Sequence, residues 1–322
     1  MSDPRVLRHV IEAITPASDA FAEGARLLVA HAASPVFETI AMRLAGAQHT
    51  ARPRTERRTL LVVAGDHGVG DPGIALGAAH PTVIAATAIA DGTAAVTQVA
   101  RTARAPIVLV DAGVREPAAM PSTTIALGRG PSQDLTRGPA MTIVDAAMGL
   151  EAGIALAISL SEPGLDVLAV GALGVGAEVS AAALTGAITR HPPANLGDAL
   201  AEEVGARAVD DHPDGALELL ATFGGPETAV LAGVMLGAAS MNIPIVLDNY
   251  ATGAAALVAS RFAPSIAGYF LASQLGTSTQ PLINGHLHCP AVFMAGIGHG
   301  EGTGAAMALP LLDQVAALTI QR

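Results

Sequence analysis

The chain has 322 residues, 51% of them hydrophobic but only 2% aromatic and none of them Trp, so its interior must be built from Ala, Val, Leu and Ile in closely packed elements. Its formal net charge is -11 and all 17 basic residues are arginines, which argues against non-specific nucleic-acid binding and removes lysine as a phosphate anchor or Schiff-base nucleophile. A single cysteine, Cys289, cannot form an intramolecular disulfide, and the charged first 20 residues lack the apolar run of a signal peptide, so a reducing, cytoplasmic setting is expected.

In chain order, residues 17–45 carry apolar side chains at three- and four-residue spacing, which predicts packing helices. The polar stretch 48–58 precedes a buried strand at 59–64 (TLLVVA) that ends in Gly65-Asp66-His67-Gly68-Val69. A glycine-rich loop at 70–79 leads to a helix at 82–101, then to a second strand at 106–111. The irregular connection 128–138 holds Arg129 and Arg137, which either grip an anion or are simply solvated. A helix is expected at 141–161 with Thr142 as its N-cap, then a third strand at 165–170 that runs into Gly171-Ala172-Leu173-Gly174-Val175-Gly176 and a further helix.

Residues 191–212 are polar and read as a surface excursion with a short helix at 198–208. Gly224-Gly225-Pro226-Glu227 opens an apolar helix, and 244–247 forms a fourth strand ending at Asp248 before Asn249-Tyr250 and a helix at 254–260. Residues 228–247 contain no charge, but Asn242 and Pro244 interrupt them, so a helix and a strand are expected there and no membrane span. His286-Leu287-His288-Cys289 puts two imidazoles on one face of a strand edge, yet no second ligand cluster accompanies it and no metal is expected. The repeated strand-helix rhythm predicts an α/β fold, a three-layer α/β/α arrangement around a mainly parallel, Rossmann-like sheet, with a smaller helical subdomain. The division expected is 1–58 for the helical segment and 59–322 for the main domain, whose C-terminal end the subdomain shares.

The stretch 295–307 (AGIGHGEGTGAAM) gathers five glycines around one acid, Glu301, after an apolar strand at 290–294 and before a helix at 305–316. In an open α/β sheet such turns sit where ligands bind, and a carboxylate among apolar groups can be tuned into a base. Glu301 is therefore the candidate catalytic residue, the alternative being a solvated acid in a structural turn. Asp66 and His67 stand at a strand's carboxyl end and are candidate substrate ligands; otherwise Asp66 caps a turn and His67 fills a polar pocket. The turn 171–176 before a helix is a phosphate-site candidate, through Gly174 and Gly176. Its G-x-x-G-x-G spacing is not the dinucleotide fingerprint, so no nucleotide cofactor is implied and an NAD-dependent oxidoreductase is disfavoured.

Together these turns resemble the nicotinate-nucleotide:dimethylbenzimidazole phosphoribosyltransferase family. The carrying motifs are G-E-G-T-G-A at 300–305, followed by A-L-P-L-L, with D-H-G-V at 66–69, D-x-G-V at 111–114, G-P-A-M-T at 138–142, G-G-x-E at 224–227 and P-I-V-L-D at 244–248, in family order. The resemblance implies a cytoplasmic homodimer whose partners are small molecules, nicotinate mononucleotide and an aromatic base such as 5,6-dimethylbenzimidazole, with no nucleic acid, membrane, metal or cofactor. It implies that Glu301 acts as general base while the phosphoribosyl group moves to the base, giving α-ribazole 5′-phosphate and nicotinate. Asp66, His67, Gly174, Gly176, Asp248, Gly300, Gly302 and Thr303 are the implied substrate-binding positions. The family writes G-E-M-G-I-G-N-T-T where this chain has Gly171-Ala172-Leu173-Gly174-Val175-Gly176-Ala177-Glu178-Val179, replacing a second glutamate by Ala172 and adding Glu178. The family's phosphate-contacting lysine also has no counterpart, so a paralogue that binds a nucleotide or base without efficient turnover is the second reading.

Overall fold

A computed structural model describes residues 4–69, 73–128, 130–276, 279–293, 296–297 and 300–320. Helix α1 (Pro4–Ala13) is followed by α2 (Asp19–Val29), with Ser18 as N-cap, and α3 (Pro35–Gln48), with Ser34 as N-cap and Pro35 in its first turn. Strand β1 (Arg58–Gly65) is buried along its whole length, as an apolar run in the middle of a parallel sheet should be. The single helix expected at 82–101 is two, α4 (Pro81–Ala90) and α5 (Ala95–Thr102), because Gly92 adopts φ +78 between them. Strands β2 (Ile107–Gly113) and β3 (Ile125–Ala126) precede α6 (Ile143–Ser161), which starts at Thr142 as expected.

Strand β4 (Val167–Leu173) feeds α7 (Ala177–Thr189), and α8 (Ala199–Ala208) is capped by Asp198. Then come α9 (Ala216–Phe223), α10 (Pro226–Ser240), β5 (Ile245–Leu247) and α11 (Tyr250–Phe262), whose capping box pairs Asn249 with Thr252. The chain closes with β6 (Phe270–Gln274), α12 (Thr279–His286), β7 (Ala291–Phe293) and α13 (Thr303–Leu318).

The seven strands form one parallel sheet in the order β3-β2-β1-β4-β5-β6-β7. Because side chains alternate along a strand, Leu61, Val63 and Val170 face one core with α6, α7, α10 and α11, while Leu60, Val62 and Ala169 face a second core with α3 and α13. The expected three layers are present. The small-residue composition has a direct consequence at the pairing of α6 with α10, where a Cβ on Gly233 would strike the Leu150 carbonyl and one on Gly153 the Val230 carbonyl. Residues 228–247 are α10 and β5, almost wholly buried. By length and composition alone, two other stretches, Pro81–Thr102 and Ile143–Ser161, are apolar enough to cross a membrane; the first is broken by the α4–α5 turn and the second packs along α10.

Helix α1 packs against α6 and α10, and α2–α3 lie on the opposite face beside α13. Two further features depart from the sequence reading. His286 ends α12, Leu287 and His288 form a turn with His288 at φ +47, and Cys289 is buried, so the H-x-H-C run is not a strand edge. Strand β6, which no glycine or acid announced, completes the sheet between β5 and β7.

Candidate active site

Strand order reverses between β1 and β4, where one connection leads outward to β2 and the other to β5, and the crevice at such a switch point is the binding site of open α/β sheets. The chain fits that crevice by backbone contact. Gly174, at φ +158, lies so close to β1 that a Cβ would overlap the Gly65 carbonyl oxygen. A Cβ on Gly171 would come within 2.5 Å of the Gly302 nitrogen and 2.6 Å of the Glu301 carbonyl carbon. Two turns some 130 positions apart in sequence thus meet, and the expected proximity of Glu301 to the 171–176 bend is observed.

Glu301 is half-buried and left-handed at φ +63, and Gly302 follows at φ +91 as the N-cap of α13. A non-glycine residue in that region is strained by about 1 kcal/mol or more, so the surroundings must hold it. Asp248 does so. Its Oδ2 accepts from Gly302 N at 3.1 Å and its Oδ1 from Ala305 N at 3.1 Å, placing a carboxylate on the positive end of α13. Asp248 is 1% exposed; burial pushes its pKa up to about 6 despite those N–H groups, and the nearby Glu301 charge adds to the rise. From β6, the Ser273 hydroxyl and Gln274 Nε2 donate to the Asp248 carbonyl at 2.7 and 3.0 Å, and Gln274 Oε1 accepts from Ile297 N at 2.5 Å. Thr303 is buried, and its hydroxyl has no hydrogen-bond partner among the described residues.

The other wall is built on β1. Asp66 is fully buried: Oδ1 accepts from Val175 N at 3.0 Å and from the Thr82 hydroxyl at 2.5 Å, and Oδ2 accepts from Arg115 N at 2.8 Å. His67 is equally buried, with Nε2 3.0 Å from Glu227 Oε1 and Nδ1 3.4 Å from the Ser132 hydroxyl, while its backbone N–H donates to the Val175 carbonyl. Burial opposes the imidazolium, but the Glu227 charge and hydrogen bond outweigh it, and the His67 pKa is raised. Asp66 and His67, expected as substrate ligands, tie together β1, α4, the segment after β2 and the 174–176 turn through the polar contacts they make among the described residues. Asp248 likewise sits behind Glu301 and positions it.

Of the expected site residues, Gly174, Gly176 and Gly300 are partly exposed around Glu301, whereas Gly302 and Thr303 lie buried beneath it. Gly176, at φ +80, is the N-cap of α7 and gives that helix no side-chain cap, while its carbonyl accepts from Val179 N. Arg137 is 86% exposed and pairs with Asp134, so it is a solvated arginine; Arg129, with Met294, Ala295, Gly298 and His299 of the glycine-rich stretch and Gly70 of the loop before α4, lies outside the described residues. Sequence reasoning missed Ser273 and Gln274 altogether. Glu227 was visible only as part of a motif, and nothing local marked its pairing with His67, 160 positions away. Two cavities of about 350 and 820 Å³ lie elsewhere, one beside β2 under Pro131 and Met141, the other between α3 and α12; Glu301 lines neither.

Residues 15–321 match a family model described as Phosphoribosyltransferase. A nicotinate-nucleotide–dimethylbenzimidazole phosphoribosyltransferase of Roseiflexus sp. (strain RS-1) is 33% identical over 95% of this chain and 92% of its own length. One of Deinococcus radiodurans is 33% identical over 87% of this chain and 82% of its own. The crystal structure of CobT from Thermus thermophilus superposes with a TM-score of 0.83 at 29% identity, over 94% of this chain and 96% of that one. In sequence across nearly its whole length, and in fold, this chain belongs to the nicotinate-nucleotide:dimethylbenzimidazole phosphoribosyltransferase family.

Proposed function

We propose that the protein transfers phosphoribosyl from nicotinate mononucleotide to 5,6-dimethylbenzimidazole or a related aromatic base, with Glu301 as general base. The observation that carries this is the left-handed backbone at Glu301, on a turn whose Gly302 and Ala305 amides are held by Asp248 and whose backbone lies against Gly171 at the end of β4. One ring nitrogen of the base attacks C1′ of the donor as the bond from C1′ to nicotinate breaks. Glu301 takes the proton from the other ring nitrogen, leaving α-ribazole 5′-phosphate with an uncharged ring system, and free nicotinate. Positioning supplies most of the acceleration and proton removal about 10²–10⁴-fold. Gly174, Gly176 and Gly300 border the donor, and the free N–H groups of α7 face its phosphate.

The working unit is a homodimer in the cytoplasm, in which residues 1–58 form a helical segment and 59–322 the catalytic domain. The replacement of a family glutamate by Ala172 and the presence of Glu178 in the first turn of α7 favour a second reading, a protein that binds nucleotide or base with little turnover. Incubation with nicotinate mononucleotide and dimethylbenzimidazole, with nicotinate and α-ribazole 5′-phosphate followed chromatographically, separates the two. The transferase reading expects both products and a rate lower by about 10²–10⁴-fold in Glu301→Gln. Binding of the mononucleotide without nicotinate release establishes the second reading instead.

A further inference from the structure

We propose that Arg115, to which neither the motifs nor the relatives assign a role, is the cation that receives the donor's phosphate in this chain. The inference rests on the transferase reading for the identity of the donor, but not on turnover. A phosphate dianion in this crevice meets Asp66, Asp248 and Glu301, and Glu178 lies exposed on the first turn of α7. Backbone N–H groups alone face that much negative charge poorly, and the chain contains no lysine.

The arginines are mostly committed elsewhere. Arg57 and Arg58 pair with Asp166 and Asp313 at the opposite end of the sheet, and Arg43, Arg190 and Arg261 donate to backbone carbonyls. Arg115 differs. It follows β2 at its carboxyl end, is half-buried, and makes no ion pair among the described residues. The two oxygens of one carboxylate, Asp66, hold the Arg115 and Val175 amides, so the root of this side chain is fixed beside the 174–176 turn. An extended arginine spans that separation, and its planar fork of donors matches two phosphate oxygens. The tie to Asp66 is made by the Arg115 backbone, so replacing the side chain leaves the frame intact.

Isothermal titration of nicotinate mononucleotide and of the phosphate-free nicotinate riboside into wild type, Arg115→Met and Arg115→Lys tests this without requiring chemistry. The expected result is a Kd for the mononucleotide raised roughly 10- to 100-fold in R115M and partly restored in R115K, with riboside binding unchanged. Glu178→Gln, which removes an opposing charge, is expected to tighten the mononucleotide a few fold and leave the riboside unaffected. Unaltered mononucleotide affinity in R115M, or an equal loss for both ligands, overturns the assignment, as does a wild type that binds no mononucleotide. A wild type that binds it, loses it in R115M and releases no nicotinate supports Arg115 while refuting the transferase reading.

Discussion

Replacing Asp248 by Asn tests whether a buried carboxylate sets the position of Glu301. In the folded protein burial raises the Asp248 pKa from 3.8 to about 6, so the native state holds this proton more tightly than the unfolded chain does. The stability linked to the group is therefore greatest below about pH 3.8, declines as pH rises toward about 6, and is level above that. The rise is worth about 3 kcal/mol. Asparagine does not titrate, so the stability of wild type minus that of D248N is expected to fall by about 2.4 kcal/mol from pH 4 to pH 7, while groups common to both cancel. Asn also sets an amide NH₂ against either Gly302 N or Ala305 N, both of which now donate to carboxylate oxygens. The turn must shift to relieve two opposed donors, and a displacement of about 1 Å at Glu301 is enough to cost about 10²-fold in rate. Urea unfolding of both proteins at half-unit pH steps, with transferase rates at pH 7.5, measures both effects. A stability difference that is flat with pH, together with an undiminished rate, would refute the reasoning.

The contact of Gly171 with Gly302 predicts that Gly171→Ala loses about 1–3 kcal/mol and most of its activity, because backbone meets backbone and neither can yield. Gly285→Ala, whose Cβ meets nothing within 4 Å, is the control and is expected to be neutral or slightly stabilising by thermal melt. Glu227→Gln is expected to cost about 3 kcal/mol near pH 6, since it leaves His67 buried without its counter-charge. The His67 pKa is raised, so that contribution is complete below pH 6.5 and is lost as pH climbs through the raised value; the gap between wild type and E227Q should narrow at alkaline pH. A gap that widens with pH contradicts the imidazolium-carboxylate pair.

Local physics made much of this protein legible from its residues. Apolar runs that stop at glycine or an acid marked β1, β2, β4 and β5, because a strand buried on both faces leaves a contiguous signature. The cap expected at Thr142 lies at the start of its helix, since a cap is a contact across three residues. The turn around Glu301 was conspicuous for a local reason as well: five glycines fall within nine residues, and Gly302 adopts φ +91.

What those patterns left open were relations across the fold. Nothing in Asp248 announces that its oxygens will be taken by N–H groups 54 and 57 residues further on, nor in His67 that Glu227 will neutralise it. Both suit binding because an acid or histidine at a strand end is chemically fitted to it, and the contacts each makes inside the fold come from distant segments. Strand β6 escaped notice because its ends carry neither glycine nor acid, though its Ser273 and Gln274 hold the Asp248 carbonyl beneath the Glu301 turn. Sequence thus determined which segments become strands, helices and turns, for these follow from neighbours a few residues apart. Tertiary structure alone decided which carboxylates became struts, because a side chain's free energy in the fold depends on the donors and charges that distant segments bring to it.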